Sequence, residues 1–401
     1  VEVIFLDGGY MYVLKNKTTK LQEGVVDDPI VGVVDTLLYH AINIGASDIH
    51  LEPGKDDMRM RYRIDGALCD QDSISPEHSH SVISRLKVLS ELDIAEQRIP
   101  QDGKIGVFFY PDNASNEPRE IDLRVSTFPS LYGEKIVLRI LDRLQHTHSL
   151  HSLGMNSELL EKVNELTGKP HGFFLVTGPT GSGKTTTLYA ILSQLNKPDL
   201  NIVTMEDPIE YHVNGITQSQ INEKSGFTFD KGLRSLLRQD PDVILIGEIR
   251  DKKTVQIAIE AALTGHLVLS TLHTNNAAGA VTRLLDMGIE PFLINAALSG
   301  VLAQRLVRKL CPACKTQKTK NEWHAVGCDQ CFDLGYKGRS GIFEWLSIDD
   351  EIRDLIMHKA SVECITDCAV RSGMKTLQQD AMERMEQGDI SLEEFLKICV
   401  R

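Results

Sequence analysis

The chain has 401 residues, with 43 Lys and Arg against 56 Asp and Glu and a formal net charge of −13. That length implies two or three domains of about 100–200 residues, whose cores need no disulfide staples. The acidic balance argues against a general nucleic-acid binder, whose footprint is basic. No apolar run reaches the ~18 residues that cross a bilayer, and no secretory signal opens the chain. Opening on Val1, the sequence is expected to be preceded by a further N-terminal part.

Residues 1–26 read as a hairpin, VEVIFL and YMYVL around a turn at Asp7-Gly8-Gly9. From Pro29 to His40, Ile30, Val33, Val34, Leu37 and Leu38 recur at helical spacing. MRMRYRIDGALCD alternates, with Met58, Met60 and Tyr62 on one strand face, Arg59, Arg61 and Arg63 on the other, and Asp65-Gly66 as turn. An amphipathic helix over about Ser81–Glu96 and strands near Ile121–Val125 and Lys135–Leu141 complete an α+β unit over 27–142. The polar stretch 143–154 has His146, His148 and His151 within six positions, a set that could bind metal, but its composition reads as an inter-domain linker.

After His171 short apolar strands alternate with helices: GFFLVTG, NIVTM, DVILIGEI, HLVLSTLH. Buried strands separated by helices imply a parallel sheet covered on both faces. The second domain, α/β, is assigned to 155–401, including a cysteine segment over 308–334 and a helical region over 349–401. Ser391-Leu-Glu-Glu394 offers a capping box for the last helix.

Gly178-Pro179-Thr180-Gly181-Ser182-Gly183-Lys184-Thr185, followed by Thr186, fits G-x-x-x-x-G-K-[ST] between a strand and a helix. Glycines there let backbone N–H groups cradle phosphate at a helix N-terminus. Lys184 would reach the β and γ phosphates, and the Thr185 hydroxyl would ligate Mg²⁺. The strand Val243–Ile246 ends at Gly247-Glu248, a carboxylate placed to hold magnesium water or polarise an attacking one. Glu206-Asp207-Pro208-Ile209-Glu210 follows NIVTM; alone, this cluster is equally an ordinary solvated turn. His266 and His273 flank LVLSTL about 23 Å apart at ~3.3 Å per residue, too far to share an ion.

Four of eight cysteines form Cys311-x-x-Cys314 and Cys328-x-x-Cys331. Four thiolates are the ligand set of a structural zinc site, and the 13 residues between the pairs allow them to meet. Thiol redox chemistry is the rival, disfavoured by two matched pairs without a thioredoxin-like pattern.

Together, GPTGSGKTT, TMEDPIE, LRQDPDVILIGEIRD and TGHLVLSTLHTN resemble four nucleotide motifs of the secretion ATPase superfamily, which drives type II secretion and type IV pilus assembly. They are similar to its Walker A, aspartate box, Walker B ending in Gly-Glu, and histidine box. GASDIHLEP, RYRIDG, LDIAEQRIPQDGKI and DLRVSTFPSLYGEKIVLRIL resemble its second N-terminal domain, and LAQRLVRKLCPAC and GYKGRSGIFEWL match further blocks.

The resemblance implies a RecA-like P-loop domain after an α+β domain, hydrolysing ATP with Mg²⁺. Glu248 becomes the Walker B glutamate. Glu206 and Glu210 help position water, and His273 and His266 lie near the nucleotide or a subunit boundary. Arg124 and Arg139 match arginines that approach the phosphates, with Arg234, Arg238 and Arg250 further candidates around the site. A homo-oligomeric, hexameric ring is implied, cytoplasmic and held to the inner membrane through a platform protein and the cytoplasmic domain of another membrane partner, without nucleic acid. Two departures stand out: the family's additional N-terminal domain is missing from the sequence, and the inter-cysteine loop is short. Three rivals are weighed: a retraction motor of the same superfamily, against which the four cysteines speak; a nucleic-acid translocase, disfavoured by charge; and a scaffold that binds ATP without turnover.

Overall fold

In a computed structural model the chain divides into two units, Val1–His146 and Thr147–Arg401. The structure describes residues 3–6, 9–15, 29–111, 118–142, 149–319 and 322–399. The expected linker therefore lies partly, over 143–148, outside the described residues.

In the first unit, apolar–polar alternation builds a sheet with one buried face. Its elements are β1 (Val3–Leu6), β2 (Gly9–Lys15), α1 (Pro29–Asn43), β3 (Asp48–Pro53), β4 (Met58–Ile64), β5 (Ala67–Asp70), α2 (Pro76–Leu89), β6 (Gln101–Tyr110), β7 (Arg119–Ser130) and β8 (Gly133–Asp142). The strand order is β1-β2-β6-β7-β8-β3-β4-β5. β1 and β2 pair antiparallel as the hairpin reading expects, and β2 also joins β6 in parallel. Asp65 and Gly66, with φ of 48° and 88°, form the tight β4–β5 turn. Ile121, Leu123 and Val125 of β7 point inward. The helices α1 and α2 pack against each other and bury Val34, Leu38, Val82 and Leu86. The Tyr62 hydroxyl donates to the Leu37 carbonyl at 2.9 Å, tying sheet to helix.

Helix α2 starts and stops earlier than periodicity suggests. Pro76 supplies a preset first-turn residue. At the other end the Ser90 hydroxyl bonds back to the Leu86 carbonyl at 2.6 Å, and Glu91 turns to a φ of 57°.

The second unit runs α3 (Ser157–Thr167), β9 (Gly172–Thr177), α4 (Lys184–Leu195), β10 (Ile202–Glu206), β11 (Thr217–Gln220), α5 (Phe229–Leu236), β12 (Val243–Ile246), α6 (Lys252–Leu263), β13 (Leu267–Leu272), α7 (Ala277–Asp286), α8 (Pro291–Ala297) and β14 (Leu298–Leu310). There follow β15 (Thr316–Thr319), β16 (Glu322–His324), β17 (Tyr336–Ser347), α9 (Asp350–Met357), α10 (Val362–Arg371), α11 (Leu377–Glu386) and α12 (Leu392–Cys399). The main sheet is ordered β11-β10-β12-β13-β9-β14-β17. It is parallel from β11 to β14, with β17 antiparallel at the edge.

Every residue of β9, β12 and β13 is buried, the result of helices on both faces. Alternate residues feed two cores: Phe173, Leu175, Ile244 and Val268 in one, Phe174, Val176, Leu245 and Leu269 in the other. Each such side chain contributes about 1.5–3 kcal/mol when fully buried. The Ser391 hydroxyl accepts from the Glu394 N–H at 3.3 Å, one half of the expected capping box. The Glu394 carboxylate, however, accepts from the Arg308 backbone N–H and guanidinium.

Candidate active site at the strand ends

Parallel strands end on one side of a sheet, so β9, β13, β12 and β10 deliver their following residues to one edge. β9 leads into the phosphate loop. Gly178 and Gly183 take φ of 152° and 86°, closed to most side chains, and a Cβ on Gly178 would lie 2.3 Å from the Gln304 carbonyl oxygen. Lys184 opens α4, and its Nζ donates to the carbonyls of Gly178 at 2.7 Å and Pro179 at 3.0 Å. Burial lowers the Lys184 ammonium from its ordinary range, while the Glu248 charge acts against that shift. Thr185 is exposed on the first turn of α4.

β13 stands between the phosphate-loop strand and the Glu248 strand, so His273 at its end adjoins both. His273 Nε2 lies 3.4 Å from Glu248 Oε2, and Arg250 Nη2 donates to Glu248 Oε1. Arg250 also stands 3.9 Å from Asp207. The turn carrying Glu248 is held by β13 through the Ser270 hydroxyl on the Ile246 carbonyl and the Thr271 hydroxyl on the Gly247 carbonyl, both at 2.7 Å. His266 sits at the opposite strand end, where its ring nitrogen meets the last turn of α6 at the Ala261 carbonyl, 2.9 Å away.

Glu206 and Glu210 part company. Glu206 is buried and its carboxylate accepts from the hydroxyls of Tyr189 and Thr204, the latter at 2.6 Å, with the Gln218 amide at 3.4 Å. Burial and the Glu206 charge raise the Tyr189 hydroxyl far above its ordinary value, so it stays a donor. Glu210 is exposed beyond the cis Asp207–Pro208 bond. Arg234 and Arg238 are exposed around the end of α5.

Sequence reasoning passed over Tyr189, Gln304 and Glu344. Each is a buried polar residue set among apolar neighbours, in TLYAIL, VLAQRLV and GIFEWL; that interruption is the signal that could have found them, because buried polar groups need partners. Glu344 accepts from Ala277 N–H at 2.7 Å and Leu377 N–H at 3.2 Å, the first residues of α7 and α11. One carboxylate thus joins two helix N-termini, where negative charge is favoured. Burial nevertheless raises its pKa, against the lowering effect of those backbone donors.

On the first unit, Arg124 and Arg139 are directly opposed across β7 and β8. The row continues to Lys104 of β6 on one side and Asp48 of β3 and Arg63 of β4 on the other. Arg139 Nε is 3.1 Å from Asp48 Oδ1, with its side chain 64% exposed. Asp48, Asp102, Lys104, Arg124 and Arg139 help line an open cleft on this face.

The four cysteine sulfurs lie within 4.8 Å of one another. Cys311–Cys328, Cys314–Cys331 and Cys328–Cys331 sulfurs are 3.9, 3.7 and 3.7 Å apart. A tetrahedral zinc site with bonds of about 2.3 Å requires edges of about 3.8 Å, whereas a disulfide requires about 2.05 Å. Backbone N–H groups of Cys328 and Gly335 donate to Cys331 Sγ at 3.2 Å, a second layer of the sort that orients metal ligands. The cluster is an excursion between β14 and β17, which pair antiparallel along their length.

A phosphate loop on one strand, a carboxylate two strands away and a covered parallel sheet define a P-loop ATPase of RecA-like fold. Residues 23–397 match the family model described as Type II/IV secretion system protein. The chain is 47% identical over 394 residues to Type II secretion system ATPase E of Vibrio cholerae, covering 94% of this chain and 77% of that one. It is also 47% identical over 398 residues to Type II secretion system protein E of Pseudomonas aeruginosa, covering 95% and 78%. Among solved structures, the Legionella pneumophila ATPase DotB superimposes with a TM-score of 0.71 at 23% identity, covering 97% of this chain and 99% of that one. The pilus retraction motor PilT with bound ADP gives 0.61 at 28% identity, covering 90% and 95%. The chain belongs to the type II/IV secretion system protein family and is a secretion ATPase.

Proposed function

We propose that this ATPase hydrolyses ATP at the strand-end edge of its second unit to power assembly of a type II secretion pseudopilus or a type IV pilus. The observation that carries the chemistry is the convergence of Lys184, Glu248 and His273 on one edge of the sheet. The Lys184 ammonium, resting on two loop carbonyls, exchanges them for β- and γ-phosphate oxygens. Residues 178–186 supply the phosphate cradle, and the Thr185 hydroxyl with Glu248 would hold Mg²⁺, which offsets phosphate charge when bound. Glu248 takes the proton of the water that attacks the γ-phosphorus as the bond to ADP breaks.

For Glu248 to do so, Arg250 must give up its present bond. His273 orients Glu248 from the neighbouring strand. Glu206, through Tyr189, fixes the end of β10, and Glu210 lies further out; both are assigned to positioning water rather than to the proton transfer. Arg124 and Arg139 supply guanidinium charge to the transferring phosphoryl group, with Arg234, Arg238 and Arg250 around the site. Zn²⁺ at Cys311, Cys314, Cys328 and Cys331 would be structural, since all four positions are protein ligands.

Among the described residues no helix is long and apolar enough to cross a membrane. The motor is proposed to work in the cytoplasm as a homo-oligomeric ring, six-fold in the family's manner and closed by a heterologous interface. It would dock on an inner-membrane platform protein and on a cytoplasmic domain of a second membrane partner, with no nucleic acid involved. Release of phosphate from ATP should require Mg²⁺ and be abolished by chelation; hydrolysis that is indifferent to chelator, or strongly stimulated by nucleic acid, contradicts this reading.

A further inference from the structure

Within β14, Gln304 is 1% exposed, and both ends of its side-chain amide are used. Its Nε2 donates to the Ser182 carbonyl at 2.9 Å, and its Oε1 accepts from the Thr187 hydroxyl at 2.7 Å. A carbonyl can only accept, so the amide orientation is fixed by the partners themselves. Ala303 pairs with Thr177, the last residue of β9, so Gln304 stands directly behind the turn of the phosphate loop. A Cβ on Gly183 would lie 2.8 Å from Gln304 Nε2, and one on Gly178 would lie 2.3 Å from the Gln304 carbonyl oxygen. Two of the loop's three glycines, Gly178 and Gly183, therefore close around this one residue.

The consequence follows from peptide geometry. The Ser182 carbonyl and the Gly183 N–H belong to one planar trans peptide and point in opposite directions. Holding the carbonyl toward the core aims the Gly183 N–H outward, into the cradle where a phosphate would sit. Without the donor, this peptide is free to rotate and present a carbonyl oxygen, which repels phosphate. The Thr187 hydroxyl completes the device by anchoring the other end of the amide to the first turn of α4.

We propose that Gln304 is a positioning residue for nucleotide binding, fixing the Ser182–Gly183 peptide so that its N–H faces the phosphate. This rests on the phosphate loop being the ATP site. The effect is on affinity rather than on the chemical step, since a cradle N–H holds phosphate in ground state and transition state alike.

The test uses the full chain with Gln304→Met, which keeps length and apolar packing, and Gln304→Glu, which keeps the acceptor for Thr187 but sets an oxygen against the Ser182 carbonyl. For Gln304→Met the dissociation constants of ADP and ATP should rise roughly three- to tenfold, the scale of one hydrogen bond. KM should rise with them while kcat stays within about twofold. The melting temperature without nucleotide should fall, because Thr187 and Ser182 lose a buried partner, and the further rise produced by ADP should shrink. Gln304→Glu should be the weaker binder of the two. Equal nucleotide affinity in wild type and both variants would overturn the proposal, as would a fall in kcat at unchanged KM. Should Gln304→Met melt too low to titrate, the affinity of Gln304→Glu decides alone. A wild-type chain that binds neither ADP nor ATP would instead fail the underlying reading of the loop.

Discussion

The two units place their charged groups in opposite ways. At the strand ends of the second unit three charged groups have protein partners: Glu248 has Arg250 and His273, Lys184 two carbonyls, and Glu206 Tyr189 and Thr204. On the first unit, Lys104, Arg124, Arg139 and Arg63 share one row across the sheet with a single carboxylate, Asp48. The first arrangement is held by contacts that the proposed reaction would have Lys184 and Arg250 exchange for others. The second is a row of cations in which Lys104 and Arg139 are exposed and Arg63 and Arg124 half-buried; an exposed pair such as Arg139–Asp48 adds little to stability in water. The two units thus differ in where this charge lies, at strand ends in one and along one sheet face in the other.

If this row serves the reaction, conservative changes in it should lower the rate much and stability little. Arg124→Lys and Arg139→Lys should each cut ATPase activity at least several-fold, because arginine fingers contribute about 10³–10⁵ in rate and an ammonium lacks the planar fork. Melting temperature and oligomer size should stay as in the wild type. Steady-state phosphate release measured beside light scattering checks this, and normal rates in both variants would remove the first unit from the chemistry.

A second contrast separates the sheet edge from the cysteine cluster. Cys314→Ser or Cys328→Ser should lower bound zinc from one ion per chain and destabilise the second unit, since structural zinc contributes folding free energy directly. Because β14, which sets Gln304 against the phosphate loop, ends at Leu310 beside Cys311, the loss should also reach nucleotide affinity. Elemental analysis of the wild type, followed by thermal melts, is the measurement; wild type purified at neutral pH without zinc would reject the site.

The smallest effect expected is on pH. Burial alone would raise the Glu52 carboxyl, but hydrogen bonds from Arg61 and Lys135 outweigh it and bring it down from 4.5 to about 2. A depressed carboxylate stabilises above its unfolded value and loses that contribution as pH falls through the folded one. Melting temperature of the intact chain should therefore decline between about pH 4.5 and about pH 2 more steeply for wild type than for Glu52→Gln. Parallel curves would show that these ion pairs contribute nothing.

Much of this was legible from the residues because local chemistry and fold agree. The phosphate loop, the Gly247-Glu248 strand end and the paired cysteines each combine a motif with its flanking pattern. Alternation in MRMRYRI and IDLRVS marked the sheet of the first unit and put its arginines on the polar face. What was illegible depends on partners distant in sequence. Gln304 and Glu344 look like flaws in apolar strands until Ser182, Thr187, Ala277 and Leu377 arrive beside them. Glu206 and Glu210 share one sequence cluster, yet the turn at Asp207–Pro208 leaves one buried and the other exposed. The early start of α2 turned on Pro76, a capping signal that periodicity does not contain.

The central proposal, that Glu248 is the base at the strand-end edge, is tested most directly by Glu248→Gln. Its amide keeps the size of the carboxylate and loses its charge and basicity, so ATP affinity should be retained while turnover falls roughly 10²–10⁴-fold. Nucleotide titration and phosphate release on the same preparation give both numbers. Retained binding with lost turnover is the predicted result; hydrolysis at the wild-type rate would contradict the account.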